Sequence, residues 1–426
     1  MFPGKFNQPD PFFVPRASSA MPGRTFYNRR TANSRMHSLP AFDDINQQLE
    51  QRERDGLYRR RRVAESPVGR EITLHGKRLL NFCSNDYLGL ANDERVRTAF
   101  VQGVEKWGVG SGASHLVSGH SAAHHELEEA LADFTGRRRC LLFSSGYAAN
   151  LGTVTGLLGK TGQVYEDRLN HASLLDGGLL SGARFRRFRH RDSADLDAAL
   201  AAGGESTARK LVISDGTFSM DGTVCDVTAL AAVARKHGAW LMIDEAHSLG
   251  VLGKEGRGLI DPRHHDTDAV QVQIGTLGKA FGTFGGFVTG SEALIETLIQ
   301  SARTYIYTTA MPAAVAVATL ASLKIAREEE WRREKLRALV HRFRDGAQQL
   351  GLDLQDSATP IQPVILGTEA RALAASAGLE QQGLLVTAIR PPTVPKGTAR
   401  LRITLTALHT EADVDRLLSA LEICTG

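Results

Sequence analysis

Cysteine is scarce: four residues in a chain of 426, at Cys83, Cys140, Cys225 and Cys424, with no C-x-x-C pair among them. That spacing excludes a disulfide scaffold and the familiar zinc ribbons, and it fits a reducing compartment. Long apolar runs are also lacking. None approaches the ~18 residues that a bilayer-spanning helix requires. A true phosphate loop is missing as well: Gly159-Lys160-Thr161 resembles its end, but Val154 stands where the first glycine belongs. Without that loop, Asp244-Glu245-Ala246-His247 is not the acid box of a helicase. Gly108, Gly110 and Ala113 meet the permissive dinucleotide spacing, yet a helical pattern precedes them where a strand is required. No serine has glycine at both −2 and +2, so the hydrolase nucleophile elbow is absent. His125-Glu126 leads to Glu129 instead of a second histidine, and His264-His265-Asp266 falls in a polar loop. Neither reads as a metal site.

What is present is an ordinary globular balance, 42% hydrophobic and 23% charged, which excludes global disorder. The length allows two to three domains. The 42 glycines, against a usual share of about 7%, point to many tight turns around a ligand. The net charge of +4 is carried by the first 35 residues, where Lys5 and five arginines face only Asp10. That stretch reads either as an organellar targeting segment, being rich in arginine and poor in acids, or as a disordered or spurious extension upstream of Met36. The remaining body is close to neutral and has no basic stripe interleaved with aromatics, so a nucleic-acid partner is not expected.

Residues 36–80 read as a helix over 39–62 followed by short strands around His75-Gly76. A helix follows over 94–107, then a Gly/Ser loop to Gly119 and a helix over 124–134. Strands and helices then alternate. Cys140–Phe143, Lys210–Ser214 and Trp240–Ile243 are short apolar strands, and a helix runs over 227–237. Such alternation implies a mainly parallel sheet covered on both faces. A long helical stretch over 312–350 leads to strands near 361–366, 384–389 and 400–405 and a helix from Glu411. The organisation is an α/β large domain over 81–310 and a smaller α+β domain over 311–426.

One constellation survives. Asp244 closes a buried strand at the end where open parallel sheets bind ligands. Lys279, in Gly275-Thr276-Leu277-Gly278-Lys279-Ala280-Phe281-Gly282, has no acid beside it; enclosure by glycine and apolar residues would lower its pKa and favour amine nucleophilicity. Ser144-Ser145-Gly146-Tyr147 offers N–H groups at a helix start, suited to a phosphate. A nucleophilic lysine, an acid for a ring nitrogen and a helix end for phosphate are together what pyridoxal phosphate requires.

Five motifs extend this reading: Asn81-Phe82-Cys83-Ser84-Asn85-Asp86-Tyr87-Leu88-Gly89, Asn170-His171-Ala172-Ser173, Phe218-Ser219-Met220-Asp221-Gly222, the Asp244 to His247 segment, and Thr276-Leu277-Gly278-Lys279. Through them the chain resembles the α-oxoamine synthases, fold-type I pyridoxal-phosphate enzymes, over about residues 40 to 425. The resemblance implies a seven-stranded, mainly parallel sheet and a cytoplasmic homodimer with shared active sites. The runs Thr387 to Pro395 and Gly397 to Thr406 are similar to the branch that condenses L-alanine with a pimeloyl thioester of acyl carrier protein or coenzyme A, as an acyltransferase step of biotin synthesis. Branches of the glycine C-acetyltransferase or 5-aminolevulinate synthase type are the alternative.

The resemblance also assigns roles. Lys279 would hold the cofactor and move the substrate proton, Asp244 would keep the ring nitrogen protonated, and His247 would bond the phenolic oxygen. Gly146, Tyr147, Ser219 and Thr276 would support cofactor and phosphate, and His171 would stack on the ring and touch the acyl carbonyl. Thr308 and Thr309 would reach the phosphate of the partner subunit. Asn85 would clamp the alanine carboxylate with Arg402 or, two residues away on the same strand face, Arg400. Arg59, Thr387 and Arg390 would lie along the acyl path. One stretch departs from the family pattern: after Gly110-Ser111-Gly112 the chain continues Ala113-Ser114-His115-Leu116.

Overall fold

The computed structural model describes residues 42–204 and 207–425, in two units divided between Arg61 and Arg62. The expectation for residues 1–35 lies outside the described residues. In the first unit, helix α1 (Ile45–Arg54) is shorter than the 39–62 span expected from the pattern. Gly56 takes a left-handed φ of 65° and its amide bonds back to Glu53, which ends the helix. Arg59 to Arg61 therefore follow as exposed, non-helical chain.

The second unit opens with a hairpin, β1 (Glu71–Leu74) and β2 (Lys77–Asn81), then α2 (Glu94–Trp107) and α3 (Ala122–Thr135). The intervening loop contains a π-helical turn, His115–Gly119, whose tight fold needs glycine: a Cβ at Gly119 would stand 2.1 Å from the Ala113 carbonyl. The alternating region follows as β3 (Arg139–Phe143), α4 (Gly146–Leu157), β4 (Gln163–Asp167), α5 (Ala172–Leu180), β5 (Arg184–Phe188), α6 (Ser193–Ala201), β6 (Lys210–Asp215), α7 (Val227–Lys236), β7 (Trp240–Asp244), β8 (Val272–Thr276) and β9 (Gly286–Gly290). These strands form one seven-stranded sheet in the order β3-β9-β8-β7-β6-β4-β5, parallel except for β9. Both faces are covered. Leu141, Val164, Ile213, Met242 and Ile274 pack with α4 and α8 (Glu292–Ser301), whereas Val212, Leu241 and Ile243 pack with α6 and α7. Burial on both faces accounts for the continuous apolar strands.

After the short α9 (Arg303–Ile306), the stretch over 312–350 is two helices and not one: α10 (Ala313–Glu328) and α11 (Glu330–Gln349). The chain breaks at Glu329, whose carboxylate accepts bonds from Arg95 and Arg332 and so fixes a corner that sequence periodicity does not reveal. The remainder is β10 (Ile361–Gly367), α12 (Glu369–Gln381), β11 (Leu384–Leu385), β12 (Thr387–Ile389), β13 (Ala399–Thr404) and α13 (Glu411–Thr425). The strand expected over 384–389 divides between two sheets, since β11 pairs β2 and β12 pairs β13. The Thr404 amide donates to the Phe82 carbonyl (2.8 Å), and that of Ala407 donates to the Tyr87 carbonyl (2.8 Å). The 81–89 motif is thereby docked on the last strand.

Candidate active site

Parallel strands β6 and β7 end in register, Asp215 opposite Asp244, both buried at the carboxyl edge of the sheet. Asp244 Oδ1 accepts from the Ala246 amide (2.9 Å) and Oδ2 from Asn150 Nδ2 (2.6 Å). The same Asn150 nitrogen donates to Ser173 Oγ (2.9 Å), which lies 2.7 Å from His171 Nδ1. His171 caps α5, and its amide donates to Asp215 Oδ2 (2.7 Å). With Ser173 Oγ–H donating to Nδ1, the His171 proton sits on Nε2. Burial raises the Asp215 carboxyl well above its usual range, and the Asp244 charge adds to this; burial also lowers His171.

Lys279 sits on the turn joining β8 to β9. The Leu277 amide bonds to Gly285, and that of Gly282 to Lys279. Gly282 has a φ of 64°, and a Cβ there would stand 2.3 Å from the Ala91 amide nitrogen, so only glycine closes this turn. Burial pulls the Lys279 ammonium down to about 8, opposed by Asp244 and Asp215. Its Nζ lies 2.9 Å from His247 Nε2, and His247 Nδ1 lies 2.6 Å from the Tyr87 hydroxyl. Burial, then the Lys279 charge, lowers His247 well below its usual value. A neutral imidazole accepting at Nε2 donates from Nδ1 to Tyr87, whose hydroxyl donates to Asn85 Oδ1 (3.3 Å).

The start of α4 forms the opposite wall. Ser145 Oγ accepts from the Ala148 amide (3.1 Å), while the first-turn N–H groups of Gly146 and Tyr147 have no helical partner. Gly286 permits this approach, since a Cβ there would stand 2.5 Å from the Gly146 nitrogen. Thr276 flanks the same point, its hydroxyl donating to the Gly285 carbonyl (3.1 Å). The Tyr147 side chain turns outward and donates to Asp176.

On the third side Arg402 donates from Nη2 to Asn85 Oδ1 (3.2 Å), from Nε to the Ser219 carbonyl (2.6 Å) and from Nη1 to Thr404 (2.9 Å). Arg400 is committed elsewhere, paired with Asp221 and donating to the Met220 carbonyl (3.3 Å). The alternation that put both on one face is therefore resolved by Asp221, and Arg402 is the arginine beside Asn85. Thr387 stands opposite Arg402 on β12, its hydroxyl 3.0 Å from Cys83 Sγ.

One cleft is thus lined by Gly146, Tyr147, His171, Ser219, Asp244, His247 and Lys279 together. Thr308 and Thr309 do not line it; Thr309 forms a β-bridge with Ser114. Arg390 and Thr387 do not line it either; Asn85, Thr276 and Arg402 stand beside it and not among its lining residues, and Arg59 belongs to the first unit. Sequence reasoning missed Asp215, Asn150, Ser173 and the part played by Tyr87. Asp215 carried a usable signal, an acid closing an apolar strand just as Asp244 does.

The donor set fits pyridoxal phosphate. Asp244, at the carboxyl end of β7, gives a ring nitrogen an acid to meet beside Lys279, and Asn150 Oδ1 is buried without a partner. Free N–H groups at a helix start suit the phosphate. The family model for aminotransferase class I and II matches residues 77–421. An 8-amino-7-oxononanoate synthase of Nitrosococcus oceani is 62% identical, covering 88% of this chain and 99% of its own. Another, from Methylococcus capsulatus, is 60% identical over 89% of this chain and 97% of its own. Among solved structures, a serine palmitoyltransferase of S. paucimobilis with bound PLP superposes with a TM-score of 0.84 at 31% identity, covering 90% of this chain and 97% of its own. The 8-amino-7-oxononanoate synthase of Francisella tularensis gives 0.71 at 31% identity, covering 81% and 97%. The chain belongs to the class I and II aminotransferase superfamily and, within it, to the 8-amino-7-oxononanoate synthases.

Proposed function

We propose that the protein uses pyridoxal phosphate to condense L-alanine with a pimeloyl thioester, giving 8-amino-7-oxononanoate, carbon dioxide and the free thiol carrier, in biotin synthesis. The observation that carries this reading is Lys279 facing the Asp215–Asp244 pair, with the Arg402–Asn85 pair near enough for the Arg402 charge to act on Lys279. Pyridoxal phosphate, when bound, supplies an electron sink for negative charge at the alanine Cα.

The chain does the rest. Arg402 and Asn85 bind and orient the alanine carboxylate, a group that a planar guanidinium fork matches. Lys279, with its pKa lowered to about 8 by burial, holds the cofactor and moves the proton at the alanine Cα. Asp244 holds a proton at the ring nitrogen, and Asn150 fixes that carboxylate. His247 bonds the phenolic oxygen. The Gly146 and Tyr147 amides, with Thr276 and Ser219, bind the phosphate end. His171, with its proton on Nε2, would stack on the ring and donate to the acyl oxygen. Thr387, opposite Arg402 on β12, would meet the acyl chain, carried on acyl carrier protein or coenzyme A. Thr308 and Thr309 reach the partner's phosphate in a homodimer. Four unpaired cysteines, and no described helix long and apolar enough to cross a membrane, support a cytoplasmic setting.

The test is product analysis with pimeloyl thioester and each of alanine, glycine and serine. Alanine should be preferred by at least roughly tenfold in kcat/KM, the size of effect that one methyl group commands. Preference for glycine or serine, or no cofactor absorbance in the purified protein, would defeat the reading.

A further inference from the structure

Away from this cleft, the loop between α2 and α3 gathers imidazoles against the first turns of α3. His120 follows the π-helical turn, and His125 and Glu128 stand three apart on α3 and so share a face. One nitrogen from each histidine and one Glu128 oxygen all lie within 4.8 Å of one another. His120 Nε2 is 4.0 Å from Glu128 Oε2.

The supporting contacts leave His120 Nε2 and Glu128 Oε2 available, while His125 Nε2 lies 3.4 Å from Glu129 Oε1 on the exposed face of α3. Glu128 Oε1 accepts from the Leu142 amide (3.0 Å), which leaves Oε2 for a further partner. His115 Nδ1 lies 2.9 Å from His120 Nδ1, so His120 Nε2 is the nitrogen turned toward Glu128. The His115 ring is itself held by stacking on Tyr305, centroids 5.0 Å apart. Such outer bonds fix the tautomer and aim of ligating histidines. His124 is not part of the group: its Nε2 meets the Met311 carbonyl (2.8 Å), and its Nδ1 accepts from the Ser121 amide (3.0 Å). The neighbouring cation, Arg139, is paired with Glu292 and Glu296.

We propose that His120, His125 and Glu128 form a three-ligand site for a divalent transition metal of the zinc type, with a fourth position open to water. Two imidazoles and a carboxylate are a donor set that zinc accepts, at about 2.0–2.2 Å from each. Ligands so bound sit roughly 3.3 Å apart, so His120 and Glu128 need only a small ring rotation, and the exposed His125 has to exchange its 3.4 Å contact with Glu129 Oε1 for the metal. The linear H-E-x-x-H pattern misses the site because its third ligand comes from the preceding loop. Coordination staples that loop to α3. The same loop supports residues 309–311, through the Ala310 amide on Ala113 (3.0 Å) and Ser111 Oγ on the Met311 carbonyl (2.6 Å).

The experiment is equilibrium dialysis of the full-length, cofactor-loaded enzyme against Co²⁺, read by visible absorption, with thermal melts in Zn²⁺ alongside. The wild type should retain one Co²⁺ per chain and melt higher in Zn²⁺. His125→Asn, an exposed change, and Glu128→Gln should each weaken retention by at least roughly tenfold and abolish the Zn²⁺ shift. Failure of the wild type to retain Co²⁺ would overturn the proposal. So would equal retention by His125→Asn, or loss only in a His264→Asn/His265→Asn variant.

Discussion

Tyr87 and His247 share a buried 2.6 Å hydrogen bond behind the catalytic lysine. The pair makes His247 a positioned acceptor for Lys279 and, on the proposed reading, would aim it at the ring oxygen. Tyr87→Phe keeps the ring and removes the acceptor for Nδ1–H. An unsatisfied buried donor costs about 1–3 kcal/mol, so kcat should fall by roughly five- to 150-fold. The visible cofactor band should also change its pH dependence. Unaltered kcat and band would show that Tyr87 only fills space.

Lys279→Ala should abolish condensation, because the covalent tether and the proton carrier leave together. Cofactor should still bind reversibly through Asp244 and the α4 start, detectable as absorbance lost on dialysis. Turnover near the wild-type rate would remove Lys279 from the chemistry.

The two β13 arginines should part company. Arg402→Ala should raise KM for alanine by roughly ten- to 100-fold, the worth of a charge-assisted bond, with little change in the thioester KM. Arg400→Ala should act on stability instead, since it strands Asp221, which is nearly buried; loss of one partner of a buried pair costs about 3–5 kcal/mol. Thermal melts and alanine titrations on both variants decide it, and the reverse pattern would exchange their roles.

Uptake of pyridoxal phosphate by the apoenzyme should quicken as pH rises through about 8. Burial is the main cause that lowers the Lys279 ammonium, so below this value the folded protein holds the amine protonated and unable to attack the aldehyde. Above it the amine is free, well before an exposed lysine would be. Stopped-flow uptake between pH 6.5 and 9.5 measures the midpoint; a midpoint near 10 would mean that burial does not tune this amine.

Gly286→Ala should weaken cofactor binding more than a conservative change on an exposed surface would. The new methyl meets the Gly146 amide nitrogen at 2.5 Å and must push the start of α4 away from Thr276. A loss of at least roughly tenfold in affinity is expected, about 1.4 kcal/mol, by fluorescence titration. Unchanged affinity would mean that the α4 start is not where the phosphate binds.

Much of this site was legible in the chain. Asp244 closes an apolar strand, Lys279 lies among small residues, and Ser145-Gly146 opens a helix; each is a local signal. Asp215 offers the same local signal, an acid closing an apolar strand; what the chain alone does not show is its register with Asp244, a fact of sheet order. Asn150 sits in a helix that is otherwise apolar and glycine-rich and reads as core. Arg400 and Arg402 could not be separated, since alternation puts both on one face and Asp221, from a distant loop, selects between them. The edge strand Arg184–Phe188 was missed for its charge, and Gly286–Gly290 for its glycines. The break at Glu329 was hidden because no glycine or proline marks it.

The docking of Phe82 and Tyr87 onto residues 404 and 407 has a consequence for how the enzyme comes into being. The Asn85–Arg402 clamp joins positions 317 residues apart in the chain. A ribosome releases the amino-terminal partner long before the carboxyl-terminal one. The growing polypeptide can complete the strands bearing Asp244 and Lys279 while the clamp has only one jaw. On the proposed roles, recognition of the amino acid would be the last competence acquired, and an incomplete chain would have no means of holding the substrate.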